Sequence, residues 1–141
     1  MRILAIDYGL KRSGVAVTDI LGISANPLPV VRTCDLLRFV VDYCNNEPVE
    51  RILVGEPKQM DGSPSQTMSH IRPFVARLGK ELPSIPVEMV DERFTSVIAH
   101  RDMIAGGFKK SDRQRKGLAD EMAATIILTT WLEARSKGPD I

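Results

Sequence analysis

The stretch Ile3–Thr18 reads ILAIDYGLKRSGVAVT. Its first four residues form a continuous apolar run that stops at Asp7, which is the pattern of a buried strand. Residues 8–14 are rich in glycine and charged side chains and predict a turn, and Val15–Thr18 predicts a second strand. The sequence therefore predicts that the chain opens with a hairpin whose first strand ends on a carboxylate.

The rest of the chain predicts strands that alternate with helices. Apolar runs predict further strands at residues 26–31, 51–55 and 87–90. Apolar stripes predict helices at 36–44 with Asp35 as N-cap, at 95–105 and at about 118–135. A further stripe from Met68 to Leu82 predicts a helix that either starts near Ser69 or is kinked at Pro73. The resulting order, β-β-β-α-β-α-β-α-α, predicts an α/β fold with a mixed five-stranded sheet and helices packed on it.

Length and composition narrow the class of protein. The 141 residues fit a single domain spanning 1–141, and 43% hydrophobic with 26% charged residues is typical of a globular protein. The net charge of +1 means that a nucleic-acid partner would have to be held by a local cationic patch. Cys34 and Cys44 form no C-x-x-C pair, which favours a reducing cytoplasmic location over a disulfide framework. No signal peptide or membrane-spanning stretch is predicted.

Carboxylates mark the ends of two predicted strands and the start of the last helix. The first strand ends at Asp7, the last at Asp91-Glu92, and Asp120 opens a helix that is otherwise largely apolar. Strand ends in α/β sheets converge on a crevice, and clustered carboxylates are stabilised by hard cations such as Mg²⁺ or Mn²⁺. The alternative is structural: Asp7 would start a turn, Glu92 would pair with Arg93, and Asp120 would begin its helix.

Cationic residues flank two of these acids. Lys11 and Arg12 follow Asp7, and the segment before the last helix contains Lys109, Lys110, Arg113, Arg115 and Lys116. We expect them to contact phosphates near the metal, whereas the alternative for such a run is a solvated loop. Arg93 would either orient Glu92 or bind a phosphate. Aromatic residues are only 5% of the chain, so base stacking is not expected to be the main mode of recognition.

Several motifs, in order along nearly the whole chain, resemble the YqgF family of RuvC-like Holliday junction resolvases. The opening motif is Ile6-Asp7-Tyr8-Gly9-x-Lys11-Arg12-x-Gly14-Val15-Ala16-Val17. It is followed by Pro27-Leu28, Val54-Gly55-x-Pro57, Met60-Asp61-Gly62, Asp91-Glu92-Arg93-x-Thr95 with Ala99, and Asp120-x-x-Ala123-Ala124-x-x-Ile127-Leu128. Each motif alone is weak, and the ordered set is specific.

The resemblance implies a ribonuclease H-like fold and a hydrolase with Asp7, Glu92 and Asp120 as metal-binding catalytic acids. For bacterial members it implies processing of the 5′ end of the 16S ribosomal RNA precursor, with resolution of four-way DNA junctions as the older alternative. Junction resolution needs two symmetry-related sites and hence a homodimer, whereas RNA trimming is possible for a monomer. A binding module without catalysis is the non-enzymatic alternative, and an actin-like ATPase is disfavoured because the chain lacks a second lobe.

Two positions depart from the family pattern. Glu56 stands where Leu is more common and closes a predicted strand, so it is a fourth metal ligand, an acid that tunes the site or a solvated loop acid. Leu10 replaces a Thr or Ser whose hydroxyl would bond a phosphate or the turn. A contact from that hydroxyl is therefore in question.

Overall fold

The computed structural model describes residues 1–57, 66–91 and 116–136, with the backbone helix but not the side chains at 116–121 and 136. The elements are β1 (Arg2–Asp7), β2 (Arg12–Thr18), β3 (Ala25–Pro27), β4 (Val31–Arg32), α1 (Thr33–Asn46), β5 (Val49–Glu56), α2 (Met68–Glu81), β6 (Val87–Asp91) and α3 (Lys116–Ser136). The helix predicted at 95–105 lies outside the described residues. Among those that are described, no helix is long and apolar enough to cross a membrane.

The strands form one mixed sheet in the order β3-β2-β1-β5-β6, with β4 also paired to β2. β1 is antiparallel to β2 and parallel to β5, and β5 is parallel to β6. The predicted opening hairpin and the mixed sheet are confirmed. The predicted number of five strands is wrong, because the segment predicted as one strand forms both β3 and β4. Pro29 lies between them, and a proline cannot donate a hydrogen bond to a strand ladder.

The start of α1 differs from its prediction. Asp35 is not the N-cap: the cap residue is Arg32, and Asp35 lies in the first turn of the helix. The amide of Thr33 donates to the carbonyl of Lys11 at 2.9 Å, so the chain leaves β4 and enters the helix earlier than the apolar stripe indicates. A carboxylate in the first turn is still favoured by the helix dipole. α2 begins at Met68 and has Pro73 inside it.

The two faces of the sheet are covered by different helices. Leu4 and Ile6 of β1 belong to the core formed with α1 and α2, whereas Ile3 and Ala5 belong to the core formed with α3. Successive strand residues point to opposite faces, so a strand covered on both sides must be apolar throughout. This explains the continuous apolar run at the start of the chain.

α3 runs antiparallel to the parallel strands. Trp131 Nε1 donates to Glu88 Oε2 at 2.8 Å, and the guanidinium of Arg51 lies 5.7 Å from the centre of the indole. One turn further along the helix, Arg135 is 4.0 Å from the Glu50 carboxylate at the start of β5. The end of α3 therefore lies at the beginnings of the strands, and its start lies towards their carboxyl ends.

The turn between β1 and β2 depends on a glycine. A Cβ added at Gly9 would lie 2.2 Å from the carbonyl oxygen of Arg12. This distance is shorter than the contacts that Cβ atoms make in proteins. Backbone cannot yield as a flexible side chain can. The turn can therefore close only when position 9 has no side chain.

We predict opposite effects for two glycine substitutions. Gly9→Ala lowers the free energy of unfolding by about 1–3 kcal/mol because the added methyl forces the turn open. Gly79→Ala raises it by about 0.5–1 kcal/mol, because an added Cβ there meets nothing within 4 Å and alanine favours a helix. Urea denaturation of the two variants measures both effects. Equal stability of the two variants would contradict this account of the turn.

Candidate active site at the carboxyl ends of the parallel strands

Three carboxylates end the three parallel strands. Asp7 is the last residue of β1, Glu56 of β5 and Asp91 of β6. The strand register pairs Ile6 with Val54 and Gly55 with Val90, so Asp7 lies level with Gly55 and Val90. These three strands therefore end at the same edge of the sheet, as the sequence predicts for Asp7 and Asp91.

The alternation of side chains separates these acids. Asp7 is two residues beyond Ala5 and four beyond Ile3, so it has the same parity in the strand alternation as these residues. It therefore belongs to the side of the sheet that α3 covers. Glu56 has the parity of Ile52 and Val54, which belong to the α1 and α2 side. Asp91, which pairs with Glu56, has the parity of Val87 and Met89 on that same side. The register thus does not bring Glu56 together with Asp7, and its role as a fourth ligand stays a prediction.

Hydroxyl groups hold the backbone that follows Asp7. The Thr33 hydroxyl donates to the carbonyl of Gly9 at 2.7 Å, and the Gly9 amide donates to Ser13 Oγ at 3.3 Å. The two hydroxyl oxygens are themselves 2.9 Å apart, and Ser13 is fully buried. Leu10, in contrast, is 63% exposed. The turn is therefore held by hydroxyls at positions 13 and 33, without one at position 10.

Cations surround this turn. Lys11 and Arg12, predicted to bind nucleic acid, are both exposed. Arg32 is also exposed and is the register partner of Arg12 in the β2–β4 pairing. The sequence analysis missed Arg32, because only this long-range pairing brings it beside the turn.

The structure describes only part of the remaining predicted site residues. Asp120 and Lys116 lie in the first turns of α3, where the backbone but not the side chain is described. Glu92, Arg93, Lys109, Lys110, Arg113 and Arg115 lie outside the described residues. Within the described ranges, no group of three or more His, Cys, Asp or Glu side chains is arranged to hold a metal ion.

Comparison with known proteins identifies the family. Residues 1–134 match the family model RuvX, which is described as a Holliday junction resolvase. The chain belongs to the RuvX family. This confirms the resemblance indicated by the ordered motifs.

Relatives of the RuvX chain cover it almost completely. A protein of Phocaeicola vulgatus is 60% identical over 134 residues, which are 95% of this chain and 96% of that protein. A protein of Bacteroides thetaiotaomicron is 57% identical over 134 residues, which are 95% of this chain and 97% of that protein. Both are named as candidate pre-16S rRNA nucleases.

Solved structures show the fold. Thermus thermophilus RuvC superposes with a TM-score of 0.61 at 19% identity, covering 97% of both chains. The same protein in complex with a Holliday junction substrate gives a TM-score of 0.59 at 20% identity, covering 96% of both chains. The α/β fold of the ribonuclease H-like type, expected from the resemblance, is confirmed.

We predict that the hydroxyl of Thr33 stabilises the turn after Asp7. Thr33→Val removes the hydroxyl that donates a hydrogen bond to the Gly9 carbonyl oxygen. Loss of this hydrogen bond lowers the free energy of unfolding by about 1–2 kcal/mol. Thr33→Ser keeps the hydroxyl and serves as the matched control. Urea denaturation and amide hydrogen exchange at Gly9 measure the change, and faster exchange in both variants alike would argue against the hydroxyl as the cause.

Proposed function

We propose that this RuvX protein is a metal-dependent nuclease that hydrolyses phosphodiester bonds in the 5′ region of the 16S ribosomal RNA precursor. The observation that carries the proposal is the position of Asp7, at the carboxyl end of a parallel strand and on the side covered by α3. Membership of the family and the names of relatives at 57–60% identity support the reaction class and the substrate.

The direction of α3 supports Asp120 as a partner of Asp7. From Trp131 back to position 120 the helix advances about 16 Å, at roughly 1.5 Å per residue. From Arg51, which lies over Trp131, to Gly55 beside Asp7 the strand advances about 13 Å. Position 120 also falls on the helical stripe of Ala124, Ile127 and Leu128, which packs on the sheet. The two acids are thus expected at the same level and on the same side.

Strand alternation supports Glu92 as the third acid. Val90 and Glu88 of β6 lie on the α3 side, since Val90 packs in that core and Glu88 bonds to Trp131. From the same alternation we expect Glu92 to share the side of Asp7. Gly55 lies between β1 and β6 at this level and has no side chain to fill the space.

The donor set suits a hard divalent cation. Asp7 is partly buried, and carboxylate oxygens are the ligands that Mg²⁺ and Mn²⁺ prefer. Asp7, Glu92 and Asp120 would hold the ion. A bound ion of this kind supplies a more acidic water and stabilises the charge that develops on a phosphodiester.

The cations around the turn would hold the substrate. Lys11, Arg12 and Arg32 are exposed at the same edge of the sheet as Asp7 and would neutralise backbone phosphates. The basic segment that ends at Lys116 leads into α3 and would do the same next to Asp120. Such contacts position the strand without reading its sequence, so cleavage specificity would follow from RNA shape and single-stranded character.

Resolution of four-way DNA junctions is the second candidate. It is favoured by the description of the family and by the fold shared with RuvC. This reaction requires paired cuts and therefore two sites related by symmetry, as in a homodimer. A monomer would suffice for trimming RNA.

We predict that Asp7→Asn abolishes cleavage while the protein stays folded. Purified wild type and variant are incubated with Mg²⁺ or Mn²⁺ and a labelled RNA that carries the precursor extension, or with a four-way DNA junction. Wild type cleaves the RNA only with metal, and the variant loses more than about a hundredfold in rate, since even outer-shell changes at metal sites cost 10- to 100-fold. Asp42→Asn, an exposed acid on α1, is the matched control and stays within about twofold of wild type.

A metal titration separates ligand loss from misfolding. Without metal, all three proteins unfold at a similar temperature, which shows that they are folded. Mn²⁺ raises the thermal unfolding midpoint of the wild type and of Asp42→Asn, but not that of Asp7→Asn, because this variant has lost a ligand for the stabilising ion. Paired symmetrical cuts in the junction with no RNA cleavage would make the protein a resolvase. If neither wild type nor Asp7→Asn cleaves either substrate, the result would favour a binding module without catalysis.

A further inference from the structure

A groove opens on the side of the sheet opposite to Asp7. It has a volume of about 370 Å³ and lies between the starts of α1 and α2, beside the residue that follows Asp7. Residues of three elements or turns line it, among them Tyr8, Thr33, Cys34, His70, Phe74 and Arg77. A volume of this size is within the range of small-ligand sites.

The groove has an aromatic wall. The rings of Tyr8 and Phe74 are 5.4 Å apart between centroids and tilted by 49°. Phe74 is 8% exposed and anchored in the core, whereas Tyr8 is only partly buried. An aromatic surface of this kind suits a planar heterocycle, because every nucleobase has a π-face that can stack.

Apart from the apolar Leu37 and Pro73, the rest of the lining is polar or cationic. His70, Phe74 and Arg77 follow helical spacing on one stripe of α2, and among the described residues that line the groove none is an Asp or Glu. An aromatic wall beside an arginine is complementary to a base joined to a phosphate.

The groove is continuous with the proposed catalytic edge. Asp7 and Tyr8 are consecutive, so their side chains leave the end of β1 on opposite sides. Thr33 lines the groove and also donates to the Gly9 carbonyl in the turn after Asp7. A nucleic-acid strand crossing this edge would pass from one side to the other within about one or two nucleotides.

We propose that the groove between α1, α2 and Tyr8 binds one unpaired nucleotide of the substrate strand, with its base against Tyr8 and its phosphate at Arg77. This proposal rests on the proposed nuclease function and specifies its substrate as single-stranded next to the cleavage site. Paired bases are stacked within a duplex and are not free to enter such a groove. The low aromatic content of the chain agrees with a single base-binding position in an interface that otherwise contacts phosphates.

Alkylation of Cys34 tests occupancy directly. Cys34 is exposed in the groove, whereas burial raises the pKa of the Cys44 thiol to about 11, so Cys44 reacts slowly and serves as an internal control. The wild-type protein is alkylated with Ca²⁺ in place of Mg²⁺, and gel analysis verifies that the RNA is intact. A single-stranded oligoribonucleotide at about ten times its Kd slows Cys34 alkylation by about tenfold. A blunt duplex of the same sequence slows it by less than about twofold.

A matched pair of charge reversals tests the phosphate contact. Arg77→Glu raises the Kd of the single-stranded oligonucleotide by about tenfold, as expected for one charge-assisted contact. Arg72→Glu, which changes another exposed arginine of α2 that is not among the residues lining the groove, stays within about twofold at physiological salt. Fluorescence anisotropy with labelled RNA gives both constants.

The outcomes separate this proposal from the proposed function. If RNA is bound by anisotropy and cleaved with metal but Cys34 reacts at its free rate, the nuclease stands and the groove proposal fails. Equal protection by duplex and single strand, or equal effects of Arg77→Glu and Arg72→Glu, would also overturn it. Protection of Cys34 without any metal-dependent cleavage would support nucleotide binding in the groove and contradict the proposed nuclease activity.

Discussion

The parallel pairing of β1 with β5 is the constraint on which the rest of the structure depends. It places β1 in the middle of the sheet, where Ile3, Leu4 and Ile6 are at most 1% exposed. Each such side chain contributes about 1.5–3 kcal/mol when it leaves water. Parallel neighbours also end at the same edge, so one pairing provides both the buried centre and the place where the strand-end carboxylates meet.

Alternation along the strands then divides that edge into two functional sides. Asp7 lies on the side of α3, which is positioned along the sheet by the bond from Trp131 to Glu88. Tyr8, one residue later, lies on the side of α1 and α2 and meets Phe74. The proposed chemistry and the proposed nucleotide groove are therefore separated by the thickness of the sheet, although consecutive residues contribute to each.

The sequence predicted those features that depend on local pattern. The apolar run ending at Asp7, the hairpin and the buried last helix follow from periodicity, and the ordered motifs indicated the family that comparison confirmed. Features set by long-range contacts were missed or mistaken. Arg32 lies beside the turn only because β2 pairs with β4. Asp35 is not the N-cap, because α1 begins earlier than its apolar stripe indicates. The groove forms only when α1 and α2 pack side by side.

The outer strand β3 has a consequence for how the sheet meets its surroundings. It is only three residues long, and Pro27 ends it opposite Ala16. A short strand closed by a residue without an N–H offers a poor template for a further strand, which protects proteins against edge-to-edge aggregation. Among the described strands, the edge formed by β3 is therefore poorly suited to pairing with a further strand. Self-association through it would need side-chain surfaces, such as the exposed Leu21 and Ile23, in place of backbone pairing.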